Sequence, residues 1–373
     1  MNKGTEPPII GQRALNRALL ARQMLLDRVD LPALSMIEHL VGMQSQAANA
    51  PYVGLWTRLA RFRTEELAGL MAAREAVRGS LMRVTIHLVS TTDYVDLWPV
   101  FRPVLERGYL GSPFRRNLDG LDLAQVADLA RRLLEDHPQT RAELGTHLAE
   151  AWPGRDPASM AMAIGHILPV VQIPPRGIWG SAGAPTLAVA EPWLGRPIGS
   201  DPAPDRLVRR YLAAFGPASI ADIQNWSRLT GLRAVVERLR PSLMTFRDES
   251  GRELFDLPEA PRPPAGTSVP PRYLPEFDNV LLGHHDRTRV MDRGDQTPLL
   301  PGNGARLGSV LVDGRYAGGW RIERSAGRPT LAVRLHVEPS RSDRAALIEE
   351  GHRLLAFAAG EDGRSEVRIT LGR

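Results

Sequence analysis

One feature constrains this chain more than any other: a recurring order of three short helices followed by two alternating strands. The clearest copy lies between Asp205 and Pro258. Arg206 to Phe215 has helical apolar spacing, and Ser219 is placed to cap a second helix over Ile220 to Leu229. A third helix spans Leu232 to Leu239 and stops before Pro241. Leu243 to Arg247 and Glu253 to Leu257 then alternate around Asp248-Glu249-Ser250-Gly251, a hairpin signal. Helix, helix, helix and hairpin is the order of a winged helix.

A second copy spans Leu123 to Leu194. Its helices are Ala124 to Leu134, one opening at Thr140 as N-cap, and Pro157 to Ile167. Its strands, Val170 to Ile173 and Thr186 to Ala190, are joined by the glycine-rich Gly177 to Gly183. A weaker copy fills Ile10 to Ser90, with helices at Ala14 to Leu26, Leu31 to Met43 and Tyr52 to Arg61 and a wing containing Leu81 to Val89. Such internal repetition predicts an α+β chain of three tandem winged-helix modules, at 9–120 with a connector, 121–203 and 204–260. A one-off helical bundle is the competing reading. After the proline-rich linker Ala260 to Gly266, strands are expected at Val280 to Leu282, Gly308 to Val312, Gly318 to Glu323, Leu331 to Val337 and Glu366 to Leu371. With a helix from Ser342 to Ala359, they predict a small antiparallel β-barrel over 270–373.

Composition narrows the chemistry. The 373 residues have room for two to four modules. The net charge of +5 is carried almost wholly by arginine, with Lys3 the only lysine. Arginine suits phosphate and base edges, although a GC-rich genome enriches it too. The absence of cysteine removes disulfides, thiolate nucleophiles, cysteine-bound zinc and iron–sulfur clusters. Met1 to Pro8 lacks the apolar core of a secretory signal, and no run of 18 apolar residues occurs. The expectation is a soluble cytoplasmic protein with no membrane partner.

Gln44 and Gln46 are the best clue to chemistry. They lie in Val41-Gly42-Met43-Gln44-Ser45-Gln46-Ala47-Ala48-Asn49-Ala50-Pro51, where helical spacing (Leu34, Ile37, Leu40, Val41) gives way to a small, turn-rich stretch. Residues i and i+2 of a regular helix point roughly 200° apart and could not serve one site. Pro51 pushes Ala50 away from helical angles, and a break here lets both amides converge. From the residues alone, capping the end of the second helix is the alternative.

The pair resembles the Gln-x-Gln signature of the AlkZ-like winged-helix DNA glycosylases, bacterial enzymes that excise purines alkylated at N7. The resemblance continues through Gln46-Ala47-Ala48-Asn49-Ala50-Pro51-Tyr52 into Leu55-Trp56-Thr57-Arg58-Leu59, and through Arg83-Val84-Thr85-Ile86-His87-Leu88-Val89. It also includes Leu274-Pro275-Glu276-Phe277-Asp278-Asn279 with His284-His285-Asp286-Arg287-Thr288-Arg289. It implies three winged helices and a terminal barrel around a basic channel in which Gln44 and Gln46 orient water. It further implies DNA contacts by Asn49, Arg58, Arg83, Thr85, His87, His284, His285, Arg287 and Arg289. One residue departs from the pattern: the family's middle position is usually aliphatic, and here it is Ser45, which keeps both amides but changes the packing that aims them.

Ordinary glycosidic hydrolysis uses a carboxylic acid to protonate the leaving group and a carboxylate to activate water or sugar. Glutamine does neither. A purine alkylated at N7 is already cationic, so no general acid is required. What remains is to expose the nucleotide, place one water near C1′ and accommodate an oxocarbenium-like transition state. Neutral amide acceptors and donors can hold that water. Glycosylases that also cut the strand form a Schiff base through lysine or a terminal proline. With Lys3 in the tail and Met1-Asn2 at the start, the expectation is a monofunctional, cofactor-free monomer that acts on double-stranded DNA carrying alkylated purines and leaves an abasic site.

Other residues are read more plainly. His87 is open between a phosphate contact and a half-buried strand histidine, and Arg83 shares its face by alternation. His284, His285 and Asp286 have no further ligand spaced nearby, and Glu38-His39 belongs to no His-Glu-x-x-His helix, so no metal is expected. Arg287 and Arg289 suit the DNA backbone, with a solvated loop as the alternative. Trp56 fits a core position, and Gly302-Asn303-Gly304 matches no nucleotide-phosphate motif. The competing functions are a non-enzymatic winged-helix DNA-binding or regulatory protein and an inactive relative that sequesters an adduct. No dimerisation helix or effector module favours the regulator. Self-resistance to a genotoxic natural product, a role seen in some relatives, stands beside general repair.

Overall fold

The computed structural model describes residues 6–294, 307–325, 328–360 and 365–372; Lys3 and Gly302-Asn303-Gly304 lie outside them. The first unit contains α1 (Gln12–Arg22), α2 (Ala33–His39), β1 (Met43–Gln44), α3 (Ala50–Trp56), α4 (Thr64–Ala72), β2 (Ala76–Ser80) and β3 (Ile86–Ser90). Ser90 caps α5 (Thr91–Leu110) by accepting the Asp93 N–H, and this 20-residue helix leads to the second unit. There follow α6 (Leu123–Asp136), β4 (Gln139–Thr140), α7 (Arg141–Ala151), α8 (Pro157–Ile167), β5 (Val170–Ile173), β6 (Thr186–Val189) and α9 (Ala190–Leu194). The third unit is α10 (Asp205–Phe215), α11 (Ile220–Ser227), α12 (Leu232–Leu239) and the hairpin β7 (Met244–Arg247) with β8 (Glu253–Asp256). Thr140 with Glu143 and Ser219 with Asp222 form capping boxes, which fixes the starts of α7 and α11.

The hairpins of the first two units do not stand apart. Arg78 pairs with Gln172 and Gly79 with Val171, joining β2 to β5 in one six-stranded sheet of order β1-β3-β2-β5-β6-β4. The third hairpin remains two-stranded.

The C-terminal region contains β9 (Arg272–Leu274), α13 (Asn279–Leu282), β10 (Gly308–Val312), β11 (Arg315–Ser325), β12 (Arg328–Leu335), α14 (Arg341–Ala359) and β13 (Glu366–Leu371). The expected closed barrel is corrected: among the described residues the sheet is open, in the order β13-β12-β11-β10-β9, and its two edge strands do not pair. Nor is it wholly antiparallel. The chain crosses over through α14 and returns as β13 parallel to β12, the kind of connection a parallel pair requires. Val280 to Leu282, expected as a strand, is a helical turn opened by the Asp278 side chain, because so short an apolar run fits either state.

Apolar burial is divided unevenly. The second unit closes its own core from residues such as Val126, Leu134, Leu144, Leu148, Met160 and Ile164. Leu19, Leu20, Val41 and Val89 of the first unit instead pack with Leu212, Phe215 and Trp226 of the third. Tyr52, Leu55 and Trp56 pack with Val310, Val333 and Leu354 of the C-terminal region. Trp56 stacks on Phe357 at 5.7 Å, which makes it a core residue as expected. Buried ion pairs tie the same three regions: Arg22 to Asp256 at 2.6 Å, Arg58 to Asp278 at 2.8 Å and Arg28 to Glu350 at 2.7 Å.

Candidate active site

The glutamine segment is built by a turn that ends α2. Val41 and Gly42 adopt left-handed backbone, with φ of 55° and 91°, and a Cβ at Gly42 would lie 2.5 Å from Val89. The chain then runs as β1 against β3, Met43 opposite Leu88 and Gln44 opposite His87. The Ser45 N–H continues the pairing by donating to Ile86 O at 2.7 Å. Alternate residues of an extended segment share a face, so Gln44 and Gln46 turn to one side and Ser45 to the other. Neither amide ends α2, whose C-cap is Leu40. The break also has a different cause from the one expected: Ala50 is helical, with Pro51 in the first turn of α3, where proline is tolerated.

Gln44 is buried and Gln46 is exposed. Gln44 Oε1 accepts from Arg83 Nη2 at 2.9 Å, and Gln46 Oε1 takes a longer contact of 3.4 Å from the Ile86 N–H. Arg83 does not reach this position by strand alternation. It sits in the 3-10 turn between β2 and β3, and both it and Val84 are left-handed, with φ of 55° and 58°. That conformation folds the guanidinium back onto three neutral acceptors: Gln44 Oε1, His87 Nε2 at 3.2 Å and Trp226 O at 3.3 Å. His87 is fully buried, its Nδ1–H donates to Thr85 O at 3.0 Å, and Nε2 is left as the acceptor. Burial, with the Arg83 charge second, pushes the His87 pKa down to about 3, so the ring is neutral throughout the physiological range. Half-buried Thr85 donates its hydroxyl to Met82 O at 3.1 Å.

Three cations gather here. Burial and the charges of Arg228 and Arg287 push the Arg83 pKa down to about 10, still charged at neutral pH. Among the described residues no carboxylate forms an ion pair with Arg83, Arg228 or Arg287. Arg228 is the left-handed C-cap of α11, and Arg287 lies on the loop after α13. Asp222 steadies that loop by accepting the His285 N–H at 2.9 Å.

Ser45 has a partner of its own. Its hydroxyl accepts from Arg78 Nε at 2.9 Å and its carbonyl from Arg78 Nη2 at 2.8 Å, with both residues buried. Burial and neighbouring Arg176 push the Arg78 pKa down to about 10. A charged hydrogen-bonded pair therefore supports the amides from behind, where the resemblance leads one to expect aliphatic packing. Asn279 adds support by donating to Gly42 O at 2.8 Å. With Gln44, Pro51, Glu276 and Phe277 it lines a small cleft.

The remaining expected contacts divide by exposure. Asn49 and His285 are exposed and Arg287 is half-buried, so all three can meet a ligand. Three others are corrected to interior roles. Arg58 gives both terminal nitrogens to Asp278 and its Nε to Gln23 O, leaving nothing for a phosphate. His284 packs beside Tyr211 and Phe215, faces Phe215 O at 3.0 Å through Nε2 and is pushed down to about 3, chiefly by burial. Arg289 is buried and donates to Pro217 O. Arg78 and Arg228 were not singled out from sequence, since only pairing across the sheet and the end of α11 bring them near the glutamines. Among the described residues no cluster of three or more metal-ligating side chains occurs, and no helix is long and apolar enough to cross a membrane.

The first unit thus carries an amide pair whose buried member is held by one of three clustered arginines that pair with no carboxylate among the described residues. The family model described as DNA glycosylase AlkZ-like matches residues 37–357, and the chain belongs to that family of enzymes acting on N-glycosyl bonds of DNA. It is similar to an interstrand DNA cross-link repair glycosylase of Streptomyces sahachiroi, 24% identical over 336 residues that cover 81% of this chain and 85% of the relative. The solved structure of Streptomyces sahachiroi DNA glycosylase AlkZ matches with a TM-score of 0.79 at 22% identity, covering 97% of this chain and 100% of that one, and so shares its fold.

Proposed function

We propose that this enzyme is a monofunctional glycosylase hydrolysing the N-glycosidic bond of N7-alkylated purines in double-stranded DNA, bulky adducts and crosslinks included, and leaving an abasic site. Gln44 and Gln46 hold the attacking water, Arg228 and Arg287 face the phosphates, and Arg83 acts from behind through its bonds to Gln44, His87 and Trp226 O. In this reading the three helical units are winged helices that wrap one distorted site as a monomer. Self-resistance to a genotoxin is a role this substrate range suits.

The observation that carries the reading is the pairing of Gln44 with a cation. Arg83 at 2.9 Å is a setting that disfavours protonating a leaving group and fits a substrate that arrives already positively charged at the base. The sugar gains positive charge late, and nearby phosphates offset that of the arginines. Lys3 is the only lysine in the sequence, which argues against Schiff-base strand cleavage.

The test is release of free base from duplexes carrying N7-methylguanine, a bulky N7 adduct or an N7 crosslink, with no strand break until heat or alkali is applied. The control is E276Q, because Glu276 lines the cleft with Gln44. Retained excision supports a mechanism without a carboxylic acid, and lost excision with normal folding points to acid–base catalysis instead.

A further inference from the structure

We propose that Arg83 is a positioning residue that divides the labour of the two glutamines: it holds Gln44 by the carbonyl, so that Gln44 offers amide hydrogens while Gln46 supplies the acceptor for the attacking water. The inference rests on the glycosylase reading above. A guanidinium can only donate, so whichever way the Gln44 amide is drawn its oxygen must face Arg83. That oxygen is committed at 2.9 Å, in a buried side chain. Gln46 is exposed, and among the described residues its oxygen has only the 3.4 Å contact to the Ile86 N–H to exchange for a water. An acceptor bonded to a water hydrogen adds electron density to the attacking oxygen, whereas a donor removes it. Gln46 therefore activates and Gln44 orients.

The backbone is arranged for this contact. Two consecutive non-glycine residues with positive φ cost about 1–3 kcal/mol each and persist where the surroundings fix them. The fork then meets Gln44, His87 and Trp226 O together, so it joins the β1–β3 pair to the end of α11. A lysine cannot span three such acceptors, although it keeps the charge.

The test uses full-length R83K and R83N, the latter because asparagine tolerates left-handed backbone. Three quantities are measured: single-turnover excision at saturating protein, DNA affinity, and NMR order of the Gln44 side-chain amide in DNA-free protein. In R83K the rate is expected to fall roughly 100-fold with affinity held within about 3-fold, the Gln44 amide to become mobile, and the loss to vanish in a Q44A background. In R83N the rate and amide order fall likewise, and affinity falls with the charge. Q46E, which strengthens the acceptor, retains excision, and Q44E, which has no hydrogens to offer, loses it. Normal rate in R83K, an unchanged Gln44 amide, or like behaviour of the two glutamate variants would overturn the proposal. A wild-type enzyme that released no base would overturn the functional reading alone, since the amide measurement still judges Arg83.

Discussion

The first and second units share a sheet and an element order, yet different forces hold them. The second closes an apolar core of its own, and its ion pairs, such as Arg131 with Glu191, are solvent-facing. The interior of the first is crossed by Arg17, Arg22 and Arg58, which reach Asp313, Asp256 and Asp278 beyond the unit. A buried pair contributes little net stability against a well-packed apolar substitute, but losing one partner is costly. The unit that carries the glutamines thus draws on the third unit and the C-terminal region for its buried charge partners. Arg83 to Trp226 O and Asn279 to Gly42 O are the same dependence at the site itself.

The sharpest way to break this comparison is to orphan an interior charge. R58A leaves Asp278 buried and unpaired, and is expected to destabilise by about 3–5 kcal/mol in urea unfolding and to abolish excision. R58M with D278L should restore most of the stability. L148A in the second unit is expected to cost about 2–4 kcal/mol while leaving excision per folded molecule within about 2-fold. Equal loss of catalysis in L148A and R58A would erase the distinction between the units.

Acid sharpens it further. His87 in the first unit and His284 beside the third have folded pKa values near 3, below the 6.5 of an unfolded histidine. Their contribution is complete above pH 6.5 and is lost as pH falls from there toward 3, because the unfolded chain takes up the protons. Urea midpoints at pH 7.5, 6 and 5 should fall in that order, and H87Q should flatten the slope. The smallest effect is expected at Ser45. S45A leaves the Arg78 Nε without its neutral acceptor and should cost about 1–2 kcal/mol with a modest loss of rate, whereas S45V removes the same acceptor, adds bulk to a buried site and should cost more.

The same contrast explains what the sequence made legible. The helices and hairpins of the second and third units follow local periodicity and caps, so Pro157–Ile167, Val170–Ile173 and Leu232–Leu239 fall where spacing places them. The pairing of β2 with β5 and the parallel return of β13 join residues far apart in sequence, and neither leaves a local signal. At the site, the spacing of Gln44 and Gln46 was readable, as was the company of Arg83 and His87. The reason for that company was not: a left-handed turn, rather than strand alternation, brings the guanidinium to the ring. Arg58, His284 and Arg289 looked like DNA contacts because an arginine or histidine reads alike whether its partner is a phosphate or a buried carboxylate or carbonyl.

The most direct test of the account is single-turnover release of N7-methylguanine by Q44A/Q46A beside the wild type, at protein concentrations that saturate the DNA. A loss of about 100-fold or more with duplex affinity unchanged is the predicted result. Release at the wild-type rate would contradict the claim that a neutral amide pair performs the hydrolysis.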